Sequence, residues 1–318
     1  VEFGLMDPRA LKQQPGPCAT APRADPAFLR LPARPKKPKI KTVDDPCAGD
    51  IAVPETVSGL WDCHTHLQDP VFQDRLEAVI ARARAAGLAC IVVNGTSPED
   101  WPAVAALAAR FPDLVRPAYG VHPLYVDRAR GDWQGDLRRR LEADPAASVG
   151  EIGLDRSDSA GPLDPQREVL EWQVRLAIEL SRPFTVHCRR AWDVMLPLLQ
   201  ALGPFPRHFV MHSYGGGEGL VAPLLALGSC FSFSGTLTWP RNRRGPAALA
   251  AVPADRVLCE TDAPDLPPWQ PEDSDPATPN EPANLPQVVR RIAELRGGSV
   301  SDWATRLTEN ARRCFGSP

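Results

Sequence analysis

The stretch "FQDRLEAVIARARAAGLACIVVNG", Phe72 to Gly95, joins two patterns at a glycine. Up to Ala86 the apolar residues recur at helical spacing, and Gly87 is a natural stop because glycine turns left-handed without steric cost. From Leu88 the run becomes continuous, apolar and β-branched, as in a strand buried on both faces. The same alternation continues through "VRPAYGVHP" (Val115 to Pro123), "ASVGEIGLD" (Ala147 to Asp155), "FTVHC" (Phe184 to Cys188), "HFVMHS" (His208 to Ser213), "SCFSFSG" (Ser229 to Gly235) and "RVLCETDAP" (Arg256 to Pro264). With the approach to "WDCHTHLQDP" (Trp61 to Pro70) counted first, there are eight strand candidates with helical stretches between most of them. Such alternation implies parallel strands with crossover helices, and eight units predict an α/β fold closed as a (β/α)8 TIM barrel over residues 56–318.

Residues 1–55 read differently. They hold ten of the 36 prolines, few periodic apolar positions and a basic run, "RPKKPKIK" (Arg34 to Lys41). An irregular Pro-rich extension is expected there, an extended arm or linker with the capacity to dock a protein partner or nucleic acid. The whole chain, 318 residues with 43% hydrophobic and 24% charged, has a globular composition, and no apolar run approaches the roughly 20 residues needed to span a bilayer. No basic region followed by an apolar stretch and a cleavage site opens it, so a cytoplasmic location is expected. The eight cysteines form no CxxC pair, and Cys63, Cys188 and Cys259 fall in strand-like segments, which predicts buried free thiols. A net charge of −3 excludes broad electrostatic attraction to nucleic acid but not local arginine clusters.

The polar residues of the barrel region share one address. His64, His66, His122, Glu151, His187, His212 and Asp262 all fall at or just past a strand's C-terminal end, the face where barrel active sites are built, whereas His208 falls at the opposite end. Residues i and i+2 of a strand point the same way, so His64 and His66 face the axis together. Two imidazoles so placed hold one cation, completed by Asp262; His187 and His212 hold a second, and Glu151 bridges the two. Nitrogen and oxygen donors of this kind suit zinc, manganese or magnesium. A pair of such ions acidifies a water and clamps a phosphate ester, with Asp262 placed to take the water's proton. One histidine in a strand is ordinarily structural; six candidate ligands on five strand ends are not coincidence.

In order and over Ser58 to Gly316, "DCHTHL", "GVHP", "GEIGLD", "VHCRRAW", "FSFSG", "ETDAP", "NEPANLP" and "NARRCFG" resemble the TatD family of metal-dependent deoxyribonucleases. The resemblance implies a metallo-dependent hydrolase barrel acting as a 3′–5′ exonuclease or in DNA repair on single-stranded DNA or 3′ ends. On that pattern His64, His66 and Asp262 bind one of two divalent metal ions, His187 and His212 the other, and Glu151 joins them. His122 and Arg189 match substrate-facing positions. Asp155 and Glu260, with Asn280 and Glu281 of "NEP", are expected to orient ligands. Arg243 and Arg244 of "RNRRG", after the seventh strand, reach the active face, where they read either as a phosphate clamp or as part of a solvated loop. Two departures line the expected substrate mouth: Arg156 stands where the family often has an aromatic residue, and "HSYGG" (His212 to Gly216) where it commonly has "HCFSG".

Other hydrolases of the superfamily are the competing reading. No lysine follows Lys41, which excludes a carbamylated-lysine bridge, and Arg189 with Arg190 occupies the place of a deaminase's catalytic glutamate. A deacylase of aminoacyl-tRNA remains open, as does service as a nuclease or scaffold subunit of a larger complex.

Overall fold

The Phe72–Gly95 stretch folds as a helix and a strand, with one revision at its start. A 3-10 turn, Pro70–Arg75, precedes the α-helix. Pro70 presets its first residue and the Asp69 carboxylate accepts the Val71 N–H at 2.9 Å, so α1 begins only at Leu76 and runs Leu76–Ala85. Gly87, at φ 87°, ends it as predicted. In this computed structural model residues 57–270 and 279–316 are described; the arm over 1–55 and part of the proline-rich connection after Pro268 lie outside them.

The strands are β1 (Leu60–Thr65), β2 (Leu88–Asn94), β3 (Val115–Tyr119), β4 (Ser148–Asp155), β5 (Phe184–Arg189), β6 (Phe209–Met211), β7 (Ser229–Phe233) and β8 (Val257–Cys259). They form one sheet in the order β1 to β8, every neighbouring pair parallel. Between them run α1, α2 (Trp101–Arg110), α3 (Trp133–Ala143), α4 (Leu163–Glu179), α5 (Trp192–Leu202), α6 (Val221–Ala226) and α7 (Arg244–Ala251), followed by α8 (Leu285–Arg296) and α9 (Val300–Phe315). The expected (β/α)8 TIM barrel is therefore present.

Closure between β8 and β1 falls just beyond the end of β8. The Asp262 N–H donates to His64 O at 2.9 Å and the His66 N–H to Ala263 O at 2.8 Å. Buried Asp62 reinforces the seam, accepting the Thr261 N–H at 2.9 Å and the Thr261 hydroxyl at 2.5 Å. Closing the barrel is thus what brings Asp262 beside the two histidines of β1.

Apolar packing lies on both sides of the sheet. The larger region is between strands and helices, where Phe184 and Phe209 stack at 5.0 Å. A smaller one joins Trp61, Cys63, Cys90, Val92, Val210, Cys230 and Leu258 to Cys314 and Phe315 of α9. Side chains from β1, β2, β6, β7 and β8 meet only inside a barrel, so α9 plugs its N-terminal end. Asn310 fixes the plug by donating to Ala254 O at 2.8 Å and Val257 O at 2.7 Å, and Thr308 donates to Gly59 O at 3.0 Å. These bonds satisfy buried carbonyls at the strand starts. The six described cysteines are free, and among the described residues no helix is long and apolar enough to cross a membrane.

Candidate metal centre

The C-terminal ends of the strands gather the expected polar residues into one buried cluster. His64 and His66 both face the axis, although the β1–β2 pairing shifts register between Asp62 and Thr65. Such an irregularity re-aims side chains at a strand end. Glu151 is placed by β4, its N–H donating to Gly95 O at 3.0 Å. His187 lies in the C-terminal half of β5, His212 follows β6, and the ring of His212 stacks on that of His64 across the barrel at 4.0 Å. Asp262 adopts φ 56°, a left-handed conformation uncommon outside glycine, held by its backbone bond to His64.

Glu151 divides the cluster in two. Its Oε2 lies 3.3 Å from both His64 Nε2 and His66 Nε2. Its Oε1 lies 3.0 Å from His187 Nδ1 and 2.9 Å from His212 Nε2. Asp262 Oδ1 joins the first side, 3.8 Å from His64 Nε2 and 3.6 Å from His66 Nε2. Burial alone would push the Glu151 carboxyl up, yet the imidazoles of His122, His212 and His64 hold it well below the usual carboxylate range.

Outer hydrogen bonds settle what the inner nitrogens present. His66 Nδ1 lies 2.9 Å from Asn94 O, a carbonyl that only accepts, so Nδ1 carries the proton. His187 Nε2–H likewise donates to Asp155 Oδ2 at 2.9 Å, and His212 Nδ1–H to Glu260 Oε1 at 3.3 Å. In each neutral ring the other nitrogen is then a lone pair aimed at carboxylate oxygen. Lone pairs and anionic oxygens converging at about 3 Å repel unless a proton or a metal cation lies between them, and carboxylate- or carbonyl-oriented imidazoles are how proteins present ligands to metals. Burial alone would lower the His187 and His212 imidazoles, yet Asp155, Glu260 and Glu151 hold both above the usual histidine range, so a proton fills the gap where a metal does not. His64 Nδ1 is buried with no hydrogen-bond partner, so nothing outside the cluster competes for that ring. The donor set fits divalent cations of the zinc, manganese or magnesium kind.

His122 differs, although its Nε2 is just as close, 3.3 Å from Glu151 Oε1. Its Nδ1 accepts the Leu124 N–H at 3.1 Å, which puts the proton of the neutral ring on Nε2. Burial pushes its pKa down to about 4 despite the attraction of Glu151. His122 therefore presents a neutral donor, whereas the inner nitrogens of His66, His187 and His212 are the ones their outer hydrogen bonds leave available to a cation.

The remaining expected residues sort by contact. Asp155 and Glu260 orient His187 and His212 as described, and Glu260 Oε1 also accepts the Ser213 N–H at 2.6 Å. Asn280 acts one step further out, donating to Thr261 O at 2.8 Å and Asp265 O at 2.7 Å, which holds the loop carrying Asp262. Glu281 corrects the expectation. Its carboxylate forms a two-pronged pair with Arg82 of α1, at 2.8 and 2.6 Å, on the outside of the barrel, because consecutive residues of an extended segment point opposite ways. Arg189 is half-buried and level with Asp155; its guanidinium and those of exposed Arg243 and Arg244 make no hydrogen bond or ion pair among the described residues. Arg156, by contrast, pairs with both oxygens of Asp193 at 3.0 Å and donates to Arg190 O at 3.0 Å, tying together the loops after β4 and β5.

Sequence reasoning passed over Asp62 and two glutamines of α4. Buried Gln166 brackets the backbone of Asp155, accepting its N–H at 2.8 Å and donating to its carbonyl at 3.0 Å. Gln173 does the same for Val121, beside His122, at 2.7 and 3.2 Å. Their spacing, i and i+7 on an otherwise apolar helix face, was the available signal.

The pattern described as "TatD related DNase" matches residues 61–316. A protein named "3'-5' ssDNA/RNA exonuclease TatD" from Erwinia tasmaniensis is 32% identical over 259 residues, covering 80% of this chain and 99% of its own. The crystal structure of YJJV, a TatD homologue from Escherichia coli K12, superposes with a TM-score of 0.74 at 31% identity, over 81% of this chain and 98% of that one. A TatD-family hydrolase from Entamoeba histolytica shares the fold at 18% identity, TM-score 0.71, over 83% of this chain and 100% of its own.

Proposed function

Because the chain belongs to the TatD-related DNase family, we propose that it is a metal-dependent nuclease hydrolysing phosphodiester bonds from the 3′ end of single-stranded DNA or RNA. The observation that carries this reading is the division of Glu151, one oxygen toward His64 and His66, the other toward His187 and His212. His64, His66, Asp262 and Glu151 Oε2 would hold one divalent ion, and His187, His212 and Glu151 Oε1 a second. Ions bound there polarise the scissile phosphate and acidify the attacking water.

The residues themselves do the rest. Asp262, beside the first side of Glu151, accepts the proton of the attacking water. His122 Nε2–H, neutral at physiological pH, donates to a phosphate oxygen on the second side. Arg189, with no ion-pair partner among the described residues, supplies positive charge at the rim, and Arg243 and Arg244 extend it for the following phosphates. Asp155 and Glu260 keep the imidazoles turned inward. The free thiols suit a reducing compartment, and a cytoplasmic location belongs to this proposal, as does a docking role for residues 1–55.

The test is digestion of 5′-labelled single-stranded DNA and RNA by chelator-stripped protein restored with magnesium, manganese or zinc. The expected result is a ladder shortening from the 3′ end, absent with chelator and absent in His187→Ala. Equal cleavage by His187→Ala, or cleavage in saturating chelator, contradicts the reading.

A further inference from the structure

Hydrophobic exposure on this molecule is uneven. Among the described residues the large hydrophobics left exposed are Val71, 40%, in the loop after β1, and Trp269, 42%, in the loop after β8. Both loops lie on the face that carries the histidine cluster, and β8 and β1 are the strands at which the barrel closes. The other seven tryptophans are buried or half-buried.

Trp269 is also held in place. Its N–H donates to Thr238 Oγ1 at 2.6 Å, and that hydroxyl donates to Gly235 O at 2.7 Å. Trp239 Nε1–H, from the same loop as Thr238, donates to Pro267 O at 2.8 Å. The two loops press together at Gly235, where an added Cβ would overlap the Leu266 carbonyl and come within 2.6 Å of Pro268 N. Gly235 follows Ser234, whose hydroxyl is 3.0 Å from that of Ser213, the neighbour of His212. An indole fixed at its backbone but open on its ring is pre-organised to stack, since little freedom is lost when a partner arrives.

Charge complementarity names the partner. Arg243 and Arg244 follow Trp239 by a few residues, are exposed, and make no ion pair among the described residues. An open aromatic ring and unneutralised guanidinium groups carried on two loops in contact are the combination that grips single strands, bases on the ring and phosphates on the cations. Duplex bases are already stacked on one another and would not use it.

We propose that Trp269 is a stacking platform for a base of the single strand being degraded, with Arg243 and Arg244 taking phosphates of the same strand. The proposal rests on the nuclease reading above and adds to it a subsite for the base.

Four proteins test it: the parent, Trp269→Ala, Trp269→Phe and Arg243→Ala/Arg244→Ala. Each is given a single-stranded oligonucleotide, the same oligonucleotide with abasic residues near its 3′ end, and bis(p-nitrophenyl) phosphate, a diester with no base. The expected result for Trp269→Ala is a KM on the normal oligonucleotide raised about tenfold with kcat within twofold. Its rate on the small diester stays at the parent's level, Trp269→Phe restores most of the loss, and the abasic strand is equally poor for parent and Trp269→Ala. The arginine double variant raises KM on both strands, abasic and normal alike. Binding of a fluorescent oligonucleotide in chelator, where nothing is cleaved, reads the platform without catalysis, and a Kd weakened about tenfold in Trp269→Ala is expected. An unchanged KM and Kd in Trp269→Ala overturns the proposal, as does an equal loss on the small diester, which would mark a merely structural tryptophan. A parent that binds the oligonucleotide but cleaves nothing with any metal overturns the nuclease reading instead.

Discussion

The two ends of the barrel are built on opposite principles. At the N-terminal end, Trp61, Cys63, Cys90, Cys230 and Leu258 close on Phe315 and Cys314 of α9, an apolar plug pinned by Asn310 and Thr308, which donate to the carbonyls of Ala254, Val257 and Gly59. At the C-terminal end, His64, His66, His122, Glu151, His212 and Asp262 are buried against one another with half-buried His187, and Arg190, Ser213, Asp262 and Leu266 all adopt left-handed φ outside glycine. Burying mutually repelling groups and strained backbone is unfavourable to the fold by itself. The plug supplies stability and the opposite rim spends it on a cation site, so changes at the two ends should separate activity from stability.

The largest effect is expected at the rim. Glu151→Gln removes the shared anion while keeping the shape, and should lower kcat on single-stranded DNA by about three orders of magnitude. Its thermal unfolding without metal should stay within a few degrees of the parent or rise. A variant that instead unfolds while retaining activity per folded molecule would erase the contrast.

Phe315→Ala is the converse. Emptying a buried ring from the plug should reduce unfolding free energy by about 3–5 kcal/mol in denaturant titration. Activity per folded molecule, measured well below the unfolding midpoint, should be unchanged. A specific loss of kcat would mean that α9 communicates with the rim.

A smaller change sharpens the comparison within the rim. Asp155→Asn leaves His187 in place but takes away the carboxylate that fixes its tautomer, and should weaken metal affinity or activity about 10–100-fold with stability nearly unaltered. Arg156→Ala, which unties the loops after β4 and β5 through Asp193, should shift KM only a few-fold, because exposed ion pairs are screened by solvent and contribute little. Oligonucleotide kinetics check both.

How much of this the sequence reveals follows from the range of the forces involved. The eight strands and the residues at their ends are legible because period and turn residues are local signals, and the barrel then determines which ends share a face. His64, His66, His122, Glu151, His187, His212 and Asp262 are brought together as expected. The distinction between His122 and the other rings is not legible, since it depends on whether an outer partner donates or accepts, and those partners, Leu124 N–H, Asn94 O, Asp155 and Glu260, come largely from other strands and loops. Glu281 shows the limit of adjacency: next to Asn280 in sequence, it faces α1 and Arg82. Asp62 carried a readable signal, a carboxylate inside an apolar strand, but its meaning, the seam with Thr261, exists only once the barrel closes.

Anomalous diffraction from crystals grown with manganese addresses the central claim most directly. The account predicts two peaks flanking the Glu151 carboxylate, one contacted by His64, His66 and Asp262, the other by His187 and His212, with neither touching a nitrogen of His122. Peaks located elsewhere, or none at saturating metal, would contradict it.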